Sequence, residues 1–208
     1  MKHYIALFAL HLVFACNTSS KKEAPRTTTS ELKTNPVEHT ATEERDSGDY
    51  SSLYVNYECT STVSEIAEVL NVPENDITSS DYQQEEKCKF DIKGFGTNTL
   101  GNSSAISWGP FPTSKAQNKK EIASYLDRKK EGLKIMGMDI ELADTGDCYL
   151  AYQPGHGRLI IYNENYDHAF LINYGRRSAN NDRTEEQHEA LKPKMTDLAN
   201  YLLKKHRK

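Results

Sequence analysis

The sequence predicts an α+β domain in which helices pack on one side of an antiparallel sheet of about five or six strands. Three capped amphipathic segments with helical spacing begin near residues 62, 114 and 184. Short alternating segments between them have the spacing of strands. The last three strand segments are joined by connections short enough to link antiparallel neighbours.

The first helix is predicted over residues 62–71. Thr62 and Glu65 form a capping-box pattern, in which each side chain bonds a free backbone N–H of the first turn. Apolar residues then recur at helical spacing as far as Leu70, and Pro73 cannot continue a helix. The pattern indicates a helix with one apolar face.

Two strands are predicted after this helix. Residues 87–92 alternate between apolar and polar side chains, as a half-buried strand does. Residues 94–101, rich in glycine and asparagine, predict a loop. The second strand, over 105–108, is expected to end at Gly109 and Pro110.

Two longer helices are also predicted. Ser114 caps one that ends near Gly132, and its mixed positive and negative charges are typical of a solvated helix face. Thr184 caps the last helix, whose apolar residues form a stripe. Pro193 lies inside that helix and predicts a kink or a split.

Four strands are predicted between these two helices, and the last three form a meander because the turns that join them are short. The four segments are residues 138–142, 148–153, 158–163 and 168–174.

The first 15 residues predict an export signal. A charged start is followed by an apolar run about half the length of a membrane-spanning helix, and then by one small residue, Ala15, directly before Cys16. The segment Val13-Phe14-Ala15-Cys16 resembles the lipobox of bacterial lipoproteins. The resemblance implies that Cys16 becomes the lipidated first residue of a protein anchored in the bacterial cell envelope, in the outer membrane of a Gram-negative cell. The alternative is an ordinary secretory signal.

Residues 16–49 predict a flexible tether, because they contain too few apolar side chains to offset the entropy of ordering the chain. Residues 50–208 are of ordinary size for one domain. The net charge of -4 and the pI near 6.0 do not favour nucleic-acid binding. The basic residues 204–208 complement a helix C-terminus, or alternatively contact phosphate or lipid headgroups.

Three cysteines follow Cys16, and they allow three single pairings. Cys59 with Cys88 is favoured, since one precedes a helix and the other opens a strand, which is a common way to attach a helix to a sheet. Cys148 is then a free thiol, expected to be buried in a strand beside Tyr149.

No spacing of histidines, cysteines or carboxylates predicts a metal site, and no cofactor motif is present. His156 lies in a loop between two glycines, so a thiol enzyme or hydrolase that uses Cys148 and His156 is one alternative. Tyr149, Tyr152 and Tyr162, with His156, form a candidate ligand surface. Tyrosine also favours strands, which explains these residues equally well.

The order of Cys59-Thr60, a capped helix and Cys88 is similar to the start of small cell-envelope lipoproteins of unassigned function. The resemblance covers roughly residues 59–203, with Asn71 where glycine is usual. By analogy it implies a fold like that of PsbP photosystem accessory proteins and Mog1-type proteins, which act by binding.

The predicted function is therefore a lipid-anchored, non-catalytic binding or accessory module with a partner in the envelope. An immunity or inhibitor protein against an envelope toxin or hydrolase is a further alternative.

Overall fold

The structure is a computed structural model that describes residues 47–208 except 82, 83 and 85. The predicted export signal, Cys16 and the tether as far as residue 46 lie outside the described residues. Within the described part, the chain forms a seven-stranded antiparallel sheet and four α-helices, which confirms the predicted α+β class.

The sheet has the strand order β1-β2-β3-β7-β6-β5-β4, and every neighbouring pair is antiparallel. The strands are β1 (Ile77–Ser79), β2 (Cys88–Thr97), β3 (Ser103–Pro112), β4 (Asp139–Leu142), β5 (Tyr149–Gln153), β6 (Arg158–Tyr162) and β7 (His168–Asn173). The six predicted strands are all present. The seventh, β1, was not predicted because only three residues pair and only one of them points inward.

The helices are α1 (Ser51–Tyr54), α2 (Val63–Leu70), α3 (Lys115–Lys130) and α4 (Glu185–His206). The three predicted helices are confirmed, together with their N-terminal caps at Thr62, Ser114 and Thr184. The additional helix α1 has a single turn, too short for a periodic pattern.

Two of the predicted strand ends are wrong. Strand β2 passes through residue 94 as far as Thr97, and β3 passes through Gly109 and Pro110 as far as Pro112. The pairing of β2 with β3 ends where Cys88 lies opposite Trp108, so the rest of β3 pairs with β7 alone. A proline is tolerated where a strand has only one neighbour, because its missing N–H interrupts no second ladder.

Pro193 does not split α4, which runs as one helix on both sides of it. Leu191 and Met195, two residues away on either side, are both fully buried. Their packing against the sheet outweighs the hydrogen bond that proline cannot make.

Helices cover both faces of the sheet, so the prediction that they pack on one side is wrong. Helices α1, α2 and α4 share one apolar cluster with the inward residues of β1, β2, β3, β5, β6 and β7. Helix α3 covers the opposite face, where Ile122 and Tyr125 pack with residues of β4 to β7. We call these the α4 face and the α3 face.

The predicted pairing of Cys59 with Cys88 is present as a disulfide, with Cα atoms 5.1 Å apart. It joins the segment before α2 to the first residue of β2. Cys148 is free and buried, as predicted.

Residues 47–49, predicted as the end of the tether, belong to the folded domain. The backbones of Asp49 and Lys208 exchange two hydrogen bonds of 3.0 and 3.2 Å. The Gly48 N–H donates to the Asp147 carboxylate over 2.9 Å, and the Tyr50 hydroxyl donates to the same carboxylate over 2.7 Å. The chain therefore enters the domain at the end of the sheet where β5 begins.

Candidate ligand-binding pocket

A cavity of about 190 Å³ lies between the last turns of α3 and the loop of residues 131–138. Its walls combine aliphatic, aromatic and positively charged side chains. The lining residues are Tyr125, Arg128, Lys129, Gly132, Leu133, Lys134, Ile135, Met138 and Asp139. We call this cavity the α3 pocket.

The end of α3 shapes the first wall of the pocket. The Leu133 N–H donates to the Arg128 carbonyl over 2.9 Å, and the Gly132 N–H donates to the Lys129 carbonyl over 3.1 Å. This bond pair is a Schellman motif, which requires a left-handed residue, and Gly132 supplies it with a φ of 70°. The motif turns the chain back over the helix and occupies two carbonyls that would otherwise be free.

The loop then makes a second reversal at Met136, whose φ of 51° is left-handed. That conformation costs a non-glycine residue on the order of 1 kcal/mol or more and persists where surrounding contacts fix it. The Met136 side chain lies over Gly155, where an added Cβ would come within 3.2 Å of its terminal methyl carbon. Gly155 therefore leaves room for the Met136 side chain beside this turn.

Arg128 is held in the pocket wall by neutral groups. Its Nε donates to the Ser124 carbonyl over 3.0 Å, one Nη donates to the Ser124 hydroxyl over 3.2 Å, and the other lies 3.8 Å from the Met138 sulfur. The guanidinium also lies 4.5 Å from the centre of the Tyr125 ring. Among the described residues, no carboxylate forms an ion pair with Arg128.

The Tyr125 ring is fixed from behind by a chain of hydrogen bonds. Gln153, at the end of β5, donates to the Tyr125 hydroxyl over 2.5 Å, and Arg158 donates to the Gln153 side-chain oxygen over 2.5 Å. Burial raises the pKa of Tyr125. The phenol therefore stays protonated at neutral pH and serves as a neutral wall.

Asp139, the one carboxylate among the described lining residues, is already paired. Asp139 lies 3.1 Å from the Lys129 ammonium and accepts the Ile140 N–H over 2.8 Å. Burial opposes ionisation of Asp139, but the bonds from Lys129 and Ile140 outweigh it and lower its pKa. Arg128 and Lys134 remain as lining cations without an ion pair among the described residues.

The predicted ligand surface is not assembled as one patch. Tyr149 and Tyr162 lie opposite each other on β5 and β6, on the α3 face. Tyr152 lies on the α4 face and, like Tyr162, is buried. His156 is exposed in the turn beside Gly155, next to the pocket loop. The structure thus brings only part of this set near the pocket.

The predicted thiol site is not assembled either. Cys148 is fully buried, and burial raises its pKa to about 11, so that the reactive thiolate is scarce at neutral pH. Cys148 precedes β5 and His156 follows it, and a five-residue strand is roughly 17 Å long. The two side chains cannot act on one substrate.

Residues 47–208, with 82, 83 and 85 excepted, show neither a metal-binding cluster nor a helix suited to span a membrane. No group of three or more histidine, cysteine, aspartate or glutamate side chains is arranged to hold a metal ion. In the same part of the chain, none of the helices combines the length and apolar character needed to span a membrane.

The sequence interpretation missed the pocket because it treated the charges of residues 115–131 as a solvated face. The sequence of the loop after α3 contains one indication of the pocket. Leu133, Ile135 and Met136 are apolar residues in a connection between glycines, and they are about half exposed or more in the structure. Scattered exposed apolar residues need no explanation, but a cluster of them in one loop marks a binding surface.

No known protein family, curated protein or solved structure matches this chain.

Proposed function

We propose that the protein is a lipid-anchored binding module of the bacterial cell envelope, and that its domain binds a small ligand in the α3 pocket. One observation carries the proposal: an apolar cavity contains a cation, Arg128, that is oriented by neutral groups and lacks an ion pair among the described residues. Ligand sites combine apolar walls with a few oriented polar groups in this way. The volume suits a small ligand or one group of a larger one.

Two features support the envelope location. The first 16 residues have the order of an export signal that ends in a lipobox. The Cys59–Cys88 disulfide is typical of oxidising compartments outside the cytosol.

The position of the pocket fits an anchored protein. The chain enters the domain beside Asp147, before β5, whereas the pocket lies near Gln153, at the opposite end of that strand. A domain anchored through the residues before 47 would carry the α3 pocket on the side away from its attachment. Such a site remains open to ligands that are not in the same membrane.

Mass spectrometry of the mature protein tests the anchor. We expect the chain to begin at Cys16 and to carry the mass of a diacylglyceryl group and an N-acyl chain. Cys16→Ser should abolish that mass, and Cys148→Ser, which changes a buried cysteine of the domain, should retain it. A mature chain without acyl groups, or one beginning elsewhere, would contradict lipidation.

A pair of matched substitutions tests the pocket. Leu133 and Leu142 are both about half exposed, but only Leu133 lines the pocket. We expect fragments of six to ten heavy atoms to shift NMR amide signals of residues 125–139 in the native chain and in Leu142→Trp. Leu133→Trp, which fills the pocket entrance, should abolish the shifts. If no fragment shifts these signals in the native chain, the pocket is not a ligand site.

A further inference from the structure

We infer that the α3 pocket selects a small amphipathic carboxylate, with an apolar body of about six carbons and one anionic end bound by Arg128. The inference rests on the proposed function and specifies its ligand. Size, wall chemistry and charge each support it.

The volume limits the apolar body. An apolar protein cavity of about 150 Å³ holds one benzene molecule. The α3 pocket, at about 190 Å³, accommodates a body of that size with a small polar group attached. Longer acyl chains would have to extend beyond the pocket entrance.

The walls favour an apolar body over a sugar or a peptide. Leu133, Ile135 and Met138 are aliphatic, and the Tyr125 ring is buried. The hydroxyl of Tyr125 is already used by Gln153, so it offers the ligand a ring surface rather than an additional polar anchor.

The charge of the lining favours an anion. A guanidinium has five N–H donors, and three of those of Arg128 are used by Ser124 and Met138, the last by a weak sulfur acceptor. Both terminal nitrogens thus retain a donor, the arrangement that binds the two oxygens of a carboxylate. Lys134 adds a second positive charge at the pocket, and Asp139 does not cancel it because Lys129 neutralises that carboxylate.

The C-terminal end of α3 does not prevent an anion from binding in the pocket. A helix C-terminus carries partial negative charge from free carbonyls and would repel an anion. Here the Schellman motif occupies the carbonyls of Arg128 and Lys129. Residues 115–138 also contain seven lysines and arginines against three aspartates and glutamates, although the whole chain has a net charge of -4.

The test is a titration of the full-length chain with sodium hexanoate and, separately, with hexan-1-ol, followed by NMR amide shifts of residues 125–139. The two probes share their apolar body and differ in charge. We expect hexanoate to bind at least about 10-fold more tightly than hexanol. Arg128→Gln should remove that preference. Lys130→Gln, which deletes a nearby exposed cation outside the pocket lining, should leave the dissociation constant within about twofold.

The outcomes separate the two proposals. Equal affinity for hexanoate and hexanol, unchanged in Arg128→Gln, would overturn carboxylate selection while leaving a small-molecule site. An equal loss of hexanoate affinity in Arg128→Gln and Lys130→Gln would also overturn carboxylate selection by Arg128. General electrostatic attraction would then explain the preference for hexanoate. Failure of both probes and of the fragments described above would overturn the proposed site itself.

Discussion

The two faces of the sheet differ in how completely they are buried. On the α4 face, three helices and the inner residues of six strands contribute to a cluster of 28 buried residues in the described part of the chain. On the α3 face, one helix covers a cluster of seven. The α4 face therefore holds most of the stability, and the α3 face can leave a pocket open without endangering the fold.

The largest expected difference in stability between the two faces is between substitutions of Trp108 on the α4 face and of Ile122 on the α3 face. Trp108 stacks on Phe90 at 5.4 Å between ring centres and donates to the Tyr57 hydroxyl over 2.6 Å. Trp108→Ala should lower the free energy of unfolding by about 3 to 5 kcal/mol. Ile122→Ala, at the margin of the smaller cluster, should cost about 2 kcal/mol.

Urea denaturation of both variants measures this difference. Because the two positions lie on opposite faces, the double variant should show additive losses. If Ile122→Ala costs as much as Trp108→Ala, the α3 face is not the more tolerant one, and the comparison of the two faces fails.

The disulfide gives the next largest effect, since it reinforces the α4 face alone. Cys59 and Cys88 are separated by 29 residues, and closing a loop of that length contributes about 3 to 4 kcal/mol in the chain-entropy model. The double variant Cys59→Ser/Cys88→Ser should lose this amount in urea denaturation. Adding a reducing agent to the native chain should produce the same loss and should not further destabilise the double variant.

The sequence predicted the elements whose signals are local. The capping box of α2 is present, and Asn71, the residue that caps its C-terminus, takes the left-handed conformation with a φ of 48°, as asparagine can where glycine is usual. The passage of β3 through Pro110 was not predictable from local signals, because it depends on which neighbouring strand ends there.

The candidate site was less predictable than the fold for a similar reason. Arg128 belongs to the pocket only because the end of α3 turns the following loop back over the helix. Gln153, which donates a hydrogen bond to the Tyr125 hydroxyl, lies on a different element, β5. The tyrosines predicted as a ligand surface alternate along strands, so burial divided them between the faces. Alternation specifies two faces but not which helix covers each one.

An intermediate effect is expected at the hydrogen bond behind the α3 pocket. Tyr125→Phe removes the acceptor of the buried Gln153 amide, and an unpaired buried donor costs about 1 to 3 kcal/mol. Urea denaturation should show a loss in this range. Tyr149→Phe is the control on the same face, since no hydrogen bond of its hydroxyl is found among the described residues, and it should be nearly neutral. Equal losses would mean that the Gln153 bond does not stabilise the pocket wall.

The smallest effect comes from the polar contacts on the outside of the α4 face. Glu65 accepts the Thr62 N–H over 2.8 Å, the Lys205 ammonium over 3.0 Å and the Tyr201 hydroxyl over 3.0 Å. The backbone bond from Thr62 and the bond from Lys205 lower the pKa of Glu65 to about 2. An unfolded glutamate titrates near 4.3. The stabilisation is therefore present above about pH 4.5 and is lost as the pH falls towards 2.

Solvent limits the size of that effect, because the Glu65 side chain is 38% exposed. Glu65→Gln should cost less than about 1 kcal/mol at pH 7, and the difference from the native chain should shrink as the pH falls. Glu68→Gln, one turn along the same helix and exposed, should cost almost nothing at either pH. A loss in Glu65→Gln that stays constant between pH 7 and pH 2 would show that the contribution of Glu65 does not depend on its charge.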